Sequence, residues 1–170
     1  MKKLDTRTLA TLGVLVALHI ILSRFFSINA WNIKVGFAFV PVFIAAWAFG
    51  PVPAALVGGL GDFLGAILFP IGPYFPGFTL SCALMGIIFG VLLHKEQTVP
   101  RILAAVALEQ FGVSLFLTSL WISMLYGSPY PALLSVRVVQ AALLSGVEFV
   151  TISVLSRGTE AVRHALAGRA

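Results

Sequence analysis

Three long stretches of this chain, Val35–Gly61, Phe63–His94 and Gln110–Val136, contain no Asp, Glu, Lys or Arg. A bilayer's hydrocarbon core, about 30 Å thick, is crossed by about 20 apolar residues of helix, so each stretch is long enough to span it. The remainder of the sequence agrees: 59% of the 170 residues are hydrophobic and only 10% are charged, with a mean hydropathy of +1.04. Apolar residues come in runs and not in period-2 alternation, which argues for helices and against a membrane β-barrel.

Gly and Pro interrupt every run, so more than four spans fit. Breaks and hydropathy together predict an all-α membrane protein, one integral domain over 1–170 with six transmembrane helices near 8–26, 35–49, 54–69, 78–94, 102–126 and 132–156. The first span follows Lys2 and Lys3 as a signal peptide would. Its apolar stretch is longer than a signal core, however, and Ile28-Asn29-Ala30 is a poor cleavage site. Cytoplasmic loops of membrane proteins collect Lys and Arg. With the N-terminus inside, Lys2, Lys3, Arg7, Lys95, Arg101, Arg157, Arg163 and Arg169 share one side and Lys34 stands alone on the other, so both termini are expected in the cytoplasm. This bias and attraction to anionic lipid account for the basic pI near 9.9 without nucleic acid.

The sequence has no repeat, no room for an extramembrane domain and no nucleotide-binding loop, so the chain is not expected to energise transport by itself. The tail after Arg157 is expected to prolong the last helix along the interface. Cys82, the only cysteine, excludes an intramolecular disulfide and most metal sites, and reads as a packing residue. Zinc-ligand spacing and a Gly-x-Ser-x-Gly elbow are both missing, and His19 and His94 lie at different depths. Catalytic residues, metal ligands and cofactors are therefore expected to be none.

Ionisable residues inside the spans carry the functional signal: Arg24, Asp62, Glu109, Arg137 and Glu148. Each costs about 2.5–3.5 kcal/mol at a helix centre unless it snorkels or finds a partner. Arg24 and Arg137 fall near the outer ends of their spans, where two guanidiniums facing one cavity suit a carboxylate ligand. The plainer readings are that Arg24 snorkels and that Arg137 pairs with Glu148 or Glu109. Asp62, among Gly58, Gly59, Gly61 and Gly65, is either an acceptor for ligand N–H groups or, more plainly, half of a buried pair with an Arg or a cap on a broken helix. Glu109 and Glu148 are taken as structural. The segment Pro70–Phe78, rich in Pro, Gly and aromatics, is expected to line a cavity as a lid, since non-helical backbone at membrane depth survives only where buried or cavity-lining. Trp31, Trp121, Tyr126 and Tyr130 fit an interfacial aromatic belt. With the arginines they also suit a flat, conjugated anion. Gly13 and Ala17, with Ala10 a turn earlier, make a smooth strip of the kind through which membrane helices pack on partners.

Five stretches taken together resemble the substrate-binding S components of energy-coupling factor (ECF) vitamin transporters, in their folate-specific branch. They are Leu22-Ser23-Arg24-Phe25, Val35–Pro41, Phe49-Gly50-Pro51, Gly61-Asp62-Phe63-Leu64-Gly65 and Phe69–Leu80. The resemblance implies a bacterial plasma-membrane subunit of six helices that captures folate or a related pterin outside. It also implies partners, a transmembrane coupling subunit (EcfT) and two ATPase subunits (EcfA, EcfA'), and toppling in the bilayer to release substrate. It places the docking motif on Gly13 and Ala17, with Gly13 where the family usually has alanine. For folate it suggests that Arg24 and Arg137 meet pterin atoms or the glutamate carboxylates, that Asp62 accepts from pterin N–H groups, and that Tyr74, Phe75, Phe78 or Trp121 stack on the rings. The fold alone leaves riboflavin and pantothenate open as ligands, and a self-sufficient carrier or channel is the alternative of another class.

Overall fold

The structure is a computed structural model that describes residues 5–30 and 33–167, without the side chains of 28–30, 33–35 and 159–167. Trp31, Lys2, Lys3 and Arg169 lie outside the described residues. The chain runs α1 (Thr6–Arg24), β1 (Ser27–Ala30), β2 (Ile33–Gly36), α2 (Phe39–Phe49), α3 (Pro51–Leu68) and α4 (Pro76–Leu93). A fifth span follows, made of α5 (Val99–Ala107), a π-helix (Leu108–Thr118) and α6 (Ser119–Tyr126), and then α7 (Tyr130–Ala167). Five of these segments are long and apolar enough to cross a membrane.

The second predicted span differs. Instead of starting at Val35, its helix starts at Phe39, because the preceding residues form an antiparallel hairpin with Ser27 opposite Gly36 and Ala30 opposite Ile33. A Cβ on Gly36 would stand 2.8 Å from the Cβ of Ser27, so glycine lets the strands close. The helix that remains, α2, has 11 residues and measures about 16 Å, half the hydrocarbon thickness. It can be short because it scarcely meets lipid: Pro41, Val42, Phe43, Ala45 and Ala46 are all buried. A helix apolar on every side is either a span or a core element, and α2 is mainly the latter.

Around α2 the first four helices pack through small residues. A Cβ on Gly58 would sit 2.3 Å from the carbonyl oxygen of Cys82, one on Gly86 would sit 2.5 Å from the backbone of Ala54, and one on Gly90 would sit 2.1 Å from Cα of Pro51. The backbones of α3 and α4 therefore touch, and Phe43, Phe89, Val57 and Leu93 fill the core beside them. On the inner side, Gly50 turns the chain from α2 into α3 at φ +88°. His94 Nδ1 lies 3.1 Å and 2.9 Å from the carbonyls of Ala46 and Trp47, capping the end of α2.

On the orientation set by the basic residues, the hairpin, the loop Phe69–Phe75 and the turn at 127–129 lie outside. The final helix continues to Ala167, well past the predicted end at 156, and thus prolongs the last span as the tail's sequence suggests.

Candidate functional site

A cavity of about 200 Å³ opens among α1, the start of α2, α3, α4, the π-helix and α7. Its lining on α7 is Arg137, Gln140, Leu144 and Glu148, spaced three, four and four apart, which is one face of a helix. From Arg137 to Glu148 that face descends about 16 Å, from the outer part of the span toward mid-membrane.

Opposite α7, the π-helix contributes Glu109, Gln110, Val113, Ser114 and Thr118. In an α-helix, Thr118 would point about 180° away from Glu109; the wider i→i+5 turn returns both to one side. Extended π geometry is rare and recurs at functional sites. Side-chain donors meet its carbonyls: Arg137 Nη2 donates to Ser114 at 3.1 Å, Tyr130 Oη to Phe116 at 3.2 Å and Thr118 Oγ1 to Val113 at 3.1 Å. At the deep end Gln110 Nε2 donates to Glu148 Oε2 at 2.8 Å.

The wall formed by α1 and α3 depends on glycine. A Cβ on Gly61 would lie 2.5 Å from the His19 ring, and one on Gly65 would lie 2.9 Å from Arg24 Nε. With that space, His19 is buried and its Nδ1 is 2.9 Å from the Ala38 carbonyl. A carbonyl only accepts, so this nitrogen carries a proton. Arg24 lies over α3, its Nη2 3.4 Å from Asp62 Oδ1 and 3.3 Å from the Asp62 carbonyl. The other carboxylate oxygen accepts from Thr79 Oγ1 at 2.9 Å, and Thr79 is 3.3 Å from the Tyr74 hydroxyl. A chain of four side chains thus ties α1, α3, α4 and the outer loop together.

The outer aromatics form a second layer. The Phe75 ring lies 5.7 Å from Trp121 and 6.0 Å from Phe78, centre to centre. Gly77 leaves room for both Trp121 and Phe75. Trp121 Nε1 donates to Ser81, a cavity residue, at 3.2 Å.

Of the residues singled out from sequence, Asp62 and Arg137 line the cavity. Arg24 stands behind Asp62 as its ion-pair partner, which is the plainer of the two readings for Asp62 and displaces snorkelling for Arg24. Tyr74, Phe75, Phe78 and Trp121 gather above the cavity and are not part of its lining among the described residues. Residues Pro70 to Tyr74 of the segment expected to line the cavity as a lid are exposed, and none of Pro70–Phe78 is part of the lining. Ala10, Gly13 and Ala17 are all exposed along one side of α1, and a Cβ on Gly13 would meet nothing within 4 Å. Sequence reasoning missed His19, Ser23, Ser81, Gln110, Ser114, Thr118 and Gln140 as lining residues, and it took Glu109 and Glu148 as structural although both face the cavity. On α7 the signal was available as a polar line at helical spacing; on the π-helix it was hidden by the change of period.

A helical membrane protein with a cavity lined by both apolar and ionisable side chains is, as a class, one that can hold a ligand within the bilayer. The sequence profile described as "ECF transporter, substrate-specific component" matches residues 7–156, and the chain belongs to that family. Among its relatives is "Folate transporter FolT" of Clostridium novyi (strain NT), 35% identical over 153 residues that cover 89% of this chain and 88% of the other. The protein of the same name from Leuconostoc mesenteroides subsp. mesenteroides is 28% identical, covering 95% and 90%. A solved structure described as "Crystal structure of FolT bound with folic acid" superposes with a TM-score of 0.86 at 31% identity, over 91% of this chain and 95% of that one. A second, described as "Structure and mechanism of the S component of a bacterial ECF transporter", gives 0.67 at 21% identity over the same shares and supports the fold alone. Family membership and the apolar helices make this a multi-pass protein of the bacterial plasma membrane.

Proposed function

We propose that this chain is the folate-binding subunit of an ECF vitamin importer, capturing folate outside and delivering it inward with a transmembrane coupling subunit and two ATPase subunits. On this reading it carries out no chemistry of its own. The observation that carries it is the cavity, which lies in the outer half of the bundle and mixes apolar walls with convergent donors and acceptors. The similarity to the structure described as bound to folic acid supports the choice of ligand.

In this reading Arg137 supplies cationic donors near the top of the cavity and Asp62 an acceptor at its side, held in place by Arg24 and Thr79. Trp121, Phe75 and Phe78, with Tyr74 beside them, offer rings for stacking at the mouth. The cavity volume of about 200 Å³ is below the ~300–1,000 Å³ of typical small-molecule sites. Folate entry then requires the outer loops to part, and for the exposed segment before Phe75 this means giving up the contact between Tyr74 and Thr79.

The strip Ala10, Gly13 and Ala17 is left for the coupling subunit. Gly13→Leu is expected to leave folate affinity within twofold of wild type while abolishing uptake by the assembled transporter; loss of binding together with normal assembly would reject this division. The ligand is tested by titrating the detergent-solubilised chain with folate and with riboflavin, using tryptophan fluorescence and calorimetry. Tight one-to-one folate binding is expected, and monodisperse protein that ignores folate would overturn the assignment.

A further inference from the structure

One attachment of the outer loop runs to a side chain that lines the cavity. Thr79, in the first turn of α4, donates to Asp62 Oδ2 at 2.9 Å, and its oxygen lies 3.3 Å from the Tyr74 hydroxyl. A threonine hydroxyl has one hydrogen, and here the carboxylate takes it. Tyr74 must therefore donate to Thr79, so the hydrogens run in one direction, from the loop through Thr79 to Asp62. Bonds in such a series polarise one another, and each strengthens the next.

The last torsion of an aspartate side chain is soft, so its hydrogen bonds and not its own rotamer fix the plane of the carboxylate. At Asp62 those bonds are unequal. Arg24 Nη2 is shared between the Asp62 carbonyl at 3.3 Å and Oδ1 at 3.4 Å, both long, whereas the bond from Thr79 lies within the ordinary range. Thr79 thus sets the direction in which Asp62 presents its lone pairs to the cavity.

Tyr74 is held at two points beside this carboxylate. Its hydroxyl reaches Asp62 through Thr79, and its ring packs edge-on against Phe63, the next residue of α3, with 5.7 Å between centres. From there the exposed loop extends to the outer end of α6, where a Cβ on Gly72 would stand 3.4 Å from the Tyr126 hydroxyl. The loop therefore bridges α3 and the fifth span, with Tyr74 as its tie to Asp62.

We infer that Thr79 is a positioning residue that couples the outer loop to the cavity-facing carboxylate of Asp62, so that lifting the loop frees Asp62 and a ligand that donates to Asp62 fastens the loop. This rests on the proposed function and adds to it a means by which occupancy closes the mouth. The coupling is reciprocal: the factor by which an attached loop tightens ligand binding is the factor by which ligand tightens loop attachment.

The test follows release of tritiated folate from the detergent-solubilised full-length chain during a chase with unlabelled folate. Thr79→Val keeps the shape of the side chain and removes both bonds, whereas Tyr74→Phe keeps the ring on Phe63 and removes only the outer one. Thr79→Val is expected to speed release about tenfold, on the scale of a hydrogen bond to a charged group, and Tyr74→Phe about threefold. Thr79→Ser, which retains the hydroxyl, should stay within twofold of wild type. The double variant should release no faster than Thr79→Val alone, because without Thr79 the tyrosine has no route to Asp62. Effects that multiply in the double variant, or release unchanged in both single variants, would overturn the inference. Should Thr79→Val lose monodispersity, Tyr74→Phe decides by itself, since that side chain is exposed, and unchanged release overturns the coupling. A second readout needs no ligand: a nitroxide on Ile71→Cys, in a Cys82→Ser background, should give a narrower line shape when Thr79→Val or Tyr74→Phe is added. An unchanged line shape overturns the tie between loop and carboxylate. Wild type that ignores folate, with a line shape that narrows in the variants, would remove the proposed function and uphold the tie.

Discussion

Between α3 and α4 the backbones touch, whereas between the π-helix and α7 long side chains cross the space and hydrogen-bond to the other side. In the first pair, Gly58, Gly86 and Gly90 each have backbone atoms of the facing helix where a Cβ would go. In the second, Gly112 and Gly146 have nothing within 4 Å of theirs, and contact depends on Gln110 with Glu148, Arg137 with Ser114 and Tyr130 with Phe116. Close backbone approach excludes alternatives because backbone cannot step aside. Polar side chains spanning a gap hold two helices at a distance and leave room between them. One region is therefore suited to be a frame and the other a wall that faces a ligand.

The sharpest way to break this comparison is to place side chains in the frame. Gly90→Leu or Gly86→Leu must separate α4 from α3, at a cost of about 3 kcal/mol or more, and the expected outcome is loss of monodisperse protein on size exclusion. A variant that purifies and melts like wild type would show that the frame is looser than its geometry implies. Next in size is Asp62→Ala, which leaves the Arg24 guanidinium buried without its carboxylate and Thr79 without its acceptor. About 3 kcal/mol of stability should go, on the scale of a broken buried ion pair, read as a lower melting temperature in detergent, and Asp62→Asn should recover part of it. In the wall, Tyr130→Phe removes one hydrogen bond to the π-helix and should cost about 1 kcal/mol or less, since the tyrosine is partly exposed. Gly146→Ala sets the lower limit: the Cβ enters open space and alanine favours helix by up to about 1 kcal/mol, so the melting temperature should hold or rise slightly.

The same division separates what the sequence made legible from what it hid. Five apolar helices follow from hydropathy, and Asp62 and Arg137, which line the cavity, stand out by the cost of charge in hydrocarbon; both signals are properties of single positions. Arg24 could be placed at a helix end but not given a partner, because that partner depends on Gly61 and Gly65 letting α1 lie close against α3. Two four-residue strands are too short for alternation to register, and so most of the hairpin reads as a loop, with only its last two residues, Val35 and Gly36, drawn into the helix after it. The core helix α2 resembled a span because burial in protein and burial in lipid select the same residues. Glu109 and Glu148 were weighed by charge alone; weighed by face, Glu148 falls in line with Arg137, Gln140 and Leu144.

The π-helix also bears on how a chain of this kind changes over generations. Removing or adding one residue in an α-helix swings everything beyond it by about 100° and turns a buried face outward. An 11-residue stretch already wound with i→i+5 bonds holds slack: a one-residue deletion can be taken up by tightening one turn to i→i+4, with both flanks kept in register. The wall of the cavity is thus where the fifth span can absorb length variation, and reshape the pocket by doing so, while the glycine-welded helices opposite it have no such freedom.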